Sequence, residues 1–339
     1  MQRLARFVWA ATSPGARAVR TTLAPLAATY EGFMRVRAHA YHRGLVRTYA
    51  LDRPTVAIGG LSVGGAGKTP IASWVAAHFA ARGITPAILS RGYGGDEDAV
   101  HRRLVPAAIV ISDRDRRRAA RRAIERGAGV LVLDDAFQRL DVYRDLNICL
   151  LTAEQLSRDA LALPAGPWRE PLTAARRADL LIVTRKSAGL AELDASCRGL
   201  EDTMGSRPLT AHLRISGFRR LGEDGVMPLG KIHGCHVLAS TGIGLPDAFE
   251  AQITQLGANV TRLRWRDHHQ YTKHDVDVML QNSSGVDYVV VTEKDAAKLE
   301  TLWPAGAKAP LVAQLDVDWG NDYRRIVSAL DALIAHTAL

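Results

Sequence analysis

Residues 55–70 read Thr-Val-Ala-Ile-Gly-Gly-Leu-Ser-Val-Gly-Gly-Ala-Gly-Lys-Thr-Pro, and this stretch decides the fold. Thr55 to Ile58 is a short apolar run of strand type, the glycines that follow break it, and a helical pattern opens at Lys68. Strand, glycine loop and helix in that order make a phosphate site: glycine backbones turn N–H groups inward, and the helix start adds partial positive charge. A strict phosphate loop carries glycine five residues before Gly67, where this chain has Ser62, so the match is to a variant. Ser62, Val63, Gly64, Gly65, Ala66, Gly67, Lys68 and Thr69 are the expected nucleotide-binding residues. Lys68 is expected to reach the β and γ phosphates and Thr69 to offer its hydroxyl to Mg²⁺.

Working outward, apolar runs near 87–90, 107–111, 130–134 and 147–151 alternate with Ala- and Arg-rich helical stretches. That is the βαβ pattern of a parallel sheet, and the fold class expected is α/β, a P-loop NTPase-like sheet flanked by helices. Val130-Leu-Val-Leu-Asp-Asp135 ends a strand in two acids, which makes Asp134 and Asp135 both candidates for the metal. A Pro/Gly-rich connection, Leu163 to Pro171, precedes further strands near 180–184, 209–215, 235–239, 259–265 and 287–292. The expected division is a P-loop domain over 1–155 and a second, smaller α/β domain over 156–339, the last helix packing back on the first.

Of 339 residues, 47% are hydrophobic and 23% charged, as in a folded globular chain rather than a disordered one. Three cysteines, odd in number, widely spaced and without metal-ligand spacing, indicate neither a disulfide framework nor a zinc site. Net charge is +9, and residues 1–53 hold nine arginines against Glu31 and Asp52, a local excess of +7. With Phe7, Trp9, Leu23, Leu26 and Phe33 interleaved, residues 1–50 suit either amphipathic helices on an anionic lipid surface or a solvated basic face. No apolar run reaches spanning length, and a peripheral protein without a signal peptide is expected. The run Arg114 to Arg122 lacks interleaved aromatics and reads as an exposed helix face, with no nucleic-acid partner. To this point the residues specify Mg²⁺–nucleotide binding, and kinase, GTPase switch and ATPase are all open.

Further segments resemble the tetraacyldisaccharide 4'-kinase family over nearly the whole chain. They are Tyr41-His-Arg-Gly-Leu45, the variant loop ending Gly-Lys-Thr-Pro70, Leu89-Ser-Arg-Gly-Tyr-Gly94, and Asp134-Asp-Ala-Phe-Gln138. Leu163-Pro-Ala-Gly-Pro-Trp-Arg-Glu-Pro171, Asp267-His-His-Gln-Tyr271 and Val291-Thr-Glu-Lys-Asp295 follow in order. The resemblance implies transfer of the ATP γ-phosphate, with Mg²⁺, to the 4' hydroxyl of a tetraacylated disaccharide 1-phosphate, by a peripheral, monomeric enzyme at the cytoplasmic face of the inner membrane. It implies an Asp–His pair as catalytic base beside Lys68, the matching positions being Asp96 and His268, with His269 the competing base. Arg91, Tyr93, Gln138 and Arg169 are the acceptor-binding candidates, and Glu170 joins the metal candidates. A different acceptor, or a GTPase or ATPase activity, is the alternative, and nucleobase recognition by Lys294 or Asp295 a weaker expectation. The chain departs from the family pattern at Gly60, Asp98, Ala136 and Arg139, and it is shorter between Tyr93 and Asp96, where the family has a lid.

Overall fold

In the computed structural model, residues 8–9, 13–92, 95–156 and 161–335 are described. A long helix, α1 (Pro14–His42), comes first, capped by the Ser13 side chain. The sheet begins with β1 (Thr55–Gly60), buried along its whole length as a central parallel strand is. Then come α2 (Lys68–Ala80), β2 (Pro86–Ser90), α3 (Asp96–Leu104), β3 (Ile109–Ser112), α4 (Arg116–Glu125), β4 (Val130–Leu133), β5 (Leu146–Thr152) and the short α5 (Ala153–Leu156). The order continues with β6 (Leu180–Arg185), α6 (Leu190–Met204), β7 (Leu209–Arg220), β8 (His236–Thr241), α7 (Pro246–Gln255), β9 (Asn259–Arg264), α8 (Lys273–Asn282), β10 (Tyr288–Thr292), α9 (Glu293–Leu299), β11 (Leu311–Asp318) and α10 (Tyr323–Ala335).

All eleven strands join one sheet in the order β3-β2-β4-β1-β5-β6-β7-β11-β10-β8-β9. Strand pairing crosses the Pro/Gly-rich connection without a break, since β5 and β6 pair in parallel. Every neighbouring pair is parallel except β7 with β11, so the sheet consists of two parallel half-sheets running in opposite directions. β6 ends at Arg185 opposite His212 of β7, whereas β10 ends at Thr292 opposite Ala313, which pairs with Phe218. The strands' carboxyl ends in the two halves therefore face each other across the middle of β7, and ligands of open α/β sheets bind beyond those ends.

The first half packs around Val56, Ile58, Ile71, Phe79, Ile148 and Leu150. Ile326 and Leu330 of α10 join this same core, although they come last in the sequence. A separate core under the second half contains Phe218, Val237, Phe249, Ile253, Val290 and Leu311. β11 was not among the expected strands; Gln314, Asp316 and Asp318 interrupt its apolar run, and its register shifts at Gln314/Leu315. Arg116, expected on an exposed helix face, is instead buried, its guanidinium donating to the carbonyls of Ser90 and Asp113. No helix among the described residues is long and apolar enough to cross a membrane.

Candidate functional site

Between the halves lies a cleft of about 860 Å³, lined from one side by the glycine loop and from the other by residues 243–245, 267–268 and 292–294. The loop owes its shape to glycine. Gly64, Gly65 and Gly67 have φ of 73°, 76° and 79°, in the left-handed region that side chains other than glycine rarely occupy. A Cβ on Gly67 would stand 2.1 Å from Leu213 Cδ1, and one on Gly65 2.4 Å from Leu245 Cδ1. The loop is braced by the 163–171 connection, through Val63 N donating to Pro167 O (2.8 Å) and Arg169 N to Leu61 O (2.7 Å). Ser62 does not point into the cleft; its hydroxyl donates to Gln155 Oε1 at 2.6 Å.

Lys68 and Asp135 meet in the cleft at 2.6 Å, and Arg169 Nη1 holds the two Asp135 oxygens at 2.9 and 3.1 Å. Burial favours the neutral acid, but these two cations outweigh it and keep the Asp135 carboxyl well below its usual range. Asp134 points the other way. Its Oδ2 meets His101 Nε2 at 3.0 Å, and His101 Nδ1 meets Ser73 Oγ at 2.8 Å, all inside the core. The turn that separates the two acids is Asp135 itself, with φ 49°. Gln138 donates to Gly60 O (2.9 Å), fixing the carboxyl end of β1. At Gly60, where the family pattern has Asn, a Cβ would lie 2.8 Å from Leu150 O, so glycine suits the closer strand packing found here.

The opposite wall brings the expected pair together: His268 Nδ1 lies 3.3 Å from Asp96 Oδ2, although 172 residues separate them. Asp96 starts α3, where the helix dipole favours its charge, and Lys298 Nζ sits 3.0 Å from the same oxygen. Burial alone would raise the Asp96 carboxyl, but His268 and Lys298 hold it well below the usual range. The bond to Asp96 in turn raises His268 above its ordinary value, against the opposing effect of burial. His268 has φ 54°, the second non-glycine residue in the left-handed region among those described; such conformations gather at functional sites. His269 is engaged elsewhere, stacked on Trp265 at 5.0 Å and 3.2 Å from Asp275.

Arg91 and Arg169 line the cleft. Tyr93 lies outside the described residues. Glu170 is buried, with Oε2 on Arg177 at 2.7 Å, and it does not line the cleft. Asp295 does not line it either; its carboxylate accepts from the Thr241 and Tyr271 hydroxyls and from Gly242 N, so it organises the loops instead of reading a base. Sequence reasoning passed over Lys186, Glu97 and Lys298. Glu97 pairs with Lys294 at 2.7 Å, a contact invisible along the chain; Lys186 follows the carboxyl end of β6, a position where ligands are generally met.

Nucleotide and Mg²⁺ both suit this arrangement. Loop glycines that could carry no Cβ leave their backbone open to phosphates. Asp135 and Thr69 both line the cleft beside the loop lysine, and one carboxylate with one hydroxyl is the sparse donor set Mg²⁺ takes when phosphate and water complete its shell. No cluster of three or more His, Cys, Asp or Glu side chains able to hold a metal occurs among the described residues.

Comparison with known proteins gives a consistent set of relatives. A profile of the family described as tetraacyldisaccharide-1-P 4'-kinase matches residues 19–107 and 94–335. A tetraacyldisaccharide 4'-kinase of Geobacter sulfurreducens is 34% identical over 313 residues, 84% of this chain and 85% of its own. One from Anaeromyxobacter dehalogenans is 35% identical over 333 residues, 88% of this chain and 86% of its own. Among solved structures, LpxK from Aquifex aeolicus in complex with ATP superposes with a TM-score of 0.70 at 25% identity, covering 93% of this chain and 99% of that one.

Proposed function

The chain belongs to the tetraacyldisaccharide-1-P 4'-kinase family, and from that premise we propose how its cleft performs ATP-dependent phosphorylation in lipid A biosynthesis. The reaction moves the γ-phosphate of ATP to the 4' hydroxyl of a tetraacyldisaccharide 1-phosphate. Residues 62–69 cradle the phosphates, and Lys68 neutralises the charge that develops on the group in transfer. Thr69 and Asp135 would hold Mg²⁺, which supplies further charge neutralisation when bound. Asp134, turned into the core, carries the buried His101 and fixes the turn from which Asp135 projects.

Opposite the loop, neutral His268 takes the proton of the attacking hydroxyl while Asp96 fixes its tautomer and stabilises the imidazolium formed. The observation that carries this reading is the Asp96–His268 contact at 3.3 Å, made between the two halves, with His268 lining the same cleft as the glycine loop. Arg91 and Arg169, both lining the cleft, are the residues assigned to the acceptor's 1-phosphate. The test is transfer of labelled γ-phosphate from Mg²⁺-ATP to tetraacyldisaccharide 1-phosphate in detergent micelles. Label in the lipid is the expected result. ATP hydrolysis with an unlabelled lipid would remove this acceptor and leave only the nucleotide site.

A peripheral position at the cytoplasmic face of the inner membrane fits α1. Leu26, Phe33 and Val36 are 59–70% exposed on this helix, whereas Tyr30 and Met34 line the cleft. One helix thus presents apolar side chains outward beside the site where an acylated substrate is handled. Replacing Leu26, Phe33 and Val36 together by glutamate is expected to lower co-sedimentation with anionic vesicles by roughly tenfold or more. ATP affinity should be unchanged; undiminished vesicle binding would sink the idea.

A further inference from the structure

Lys186 lies beside the glycine loop, at the carboxyl end of β6 in the first half-sheet. It follows the last residue of β6, lines the cleft, and its Nζ donates to Gly65 O at 2.8 Å. Its backbone is unusually well fixed. Glu154 Oε1 accepts from the N–H groups of Lys186, Ser187 and Ala188 at 2.7, 2.9 and 3.1 Å. The Lys186 carbonyl accepts from Gln252 Nε2 of α7 at 3.1 Å and meets His212 Nε2 of β7 at 3.3 Å. Gln252 in turn bonds Leu213 O and Ile215 N, so it is locked in place. One residue therefore ties the loop of the first half to a helix of the second.

We propose that Lys186 is a second phosphate-site lysine, which sets the Gly65 peptide in the unliganded loop and engages the β-phosphate of a bound nucleoside di- or triphosphate. The inference rests on reading residues 62–69 as a nucleotide site, and it adds a specific partner to that site. Three features of the loop and its surroundings carry it. Gly65, with φ 76°, lines the cleft, and the Lys186 ammonium holds its carbonyl at 2.8 Å. Lys68, the lysine of the loop itself, is paired with Asp135, whereas the Lys186 ammonium bonds Gly65. The anchoring by Glu154 is to backbone N–H groups, which leaves the Lys186 side chain directed at the loop.

Electrostatics agree with the geometry. Burial pulls Lys186 down to about 8; Glu154 of α5 and Asp267 favour its charge, and Lys294 of α9 opposes it. His212 and Gln252 face only its carbonyl. Polyanion binding needs the charged form, present below that value and lost as pH rises through it.

The experiment is calorimetric titration of the full chain with Mg²⁺-ADP, Mg²⁺-ATP and AMP, in wild type, Lys186→Ala, Lys186→Gln and Lys186→Arg, with melting curves for each. In the Ala and Gln variants Kd for ADP and ATP should rise roughly ten- to a hundredfold. AMP binding should change little, and Arg should restore most of the loss. Wild-type ADP binding should weaken above pH 8, and the Arg variant should lose that limb. ADP affinity within about twofold of wild type in a variant that melts normally overturns the proposal while leaving the nucleotide site intact. A wild-type chain that does not bind Mg²⁺-ADP overturns both.

Discussion

Lys68→Ala is expected to reduce kcat/KM for lipid phosphorylation by about 10²–10³-fold, the loss typical when one preorganised charge donor to a transition state is removed. The direction follows from the Lys68–Asp135 pair. At 2.6 Å, with the lysine side chain only 13% exposed, the ammonium is held in the cleft before any ligand arrives and has little solvent to give up. Folding should survive the change, because Arg169 still bonds both Asp135 oxygens and the carboxylate is not left alone. A melting curve near that of wild type together with the lost rate is the expected pairing. Retention of more than about a tenth of the rate would mean that Lys68 does not face the transferred group.

The second large effect belongs to the base. His268→Ala should lower kcat by about 10²–10⁴-fold, the usual range for removing a general base. Asp96→Asn should act partly through that histidine, and its pH profile separates the two contributions. Hydrogen bonding to Asp96 raises His268 above 6.5, and a base works only when neutral. Wild-type kcat/KM therefore climbs as pH rises through that raised value. With asparagine at 96 the support for imidazolium is gone, the pKa falls, and the acid limb should move to lower pH as the plateau drops. An acid limb that stays put in Asp96→Asn would show that another group titrates. His269→Ala serves as the control: stacked on Trp265 and bonded to Asp275, it should cost stability more than rate.

Local chemistry made the nucleotide loop readable, since strand, glycines and helix succeed one another within sixteen residues and need no distant partner. Neighbouring residues of the same type were not readable. Asp134 and Asp135, like His268 and His269, offer the same functional group one position apart, and in each pair a single left-handed residue, Asp135 or His268, sends the two side chains in opposite directions. Backbone torsion at one residue leaves no trace in composition or periodicity. Glu170 was misleading for a related reason: its match lay in a motif, whereas its partner, Arg177, is set by the fold. Lys298 against Asp96 and Lys186 against Gly65 are long-range contacts that only the assembled sheet creates.

The return of α10 to the first core has a consequence for the order in which the molecule is made. Val56, Ile58, Ile71 and Phe79 leave the ribosome early, yet the cluster they form also includes Ile326 and Leu330. Between the emergence of β7 and that of α10 the whole second half must be synthesised, a delay of roughly 6–25 s at ordinary elongation rates. During it the nascent nucleotide-binding half has an apolar face uncovered. Residues 323–335 therefore act as the closing piece of the first core, the last segment to cover an apolar face laid down at the start of synthesis.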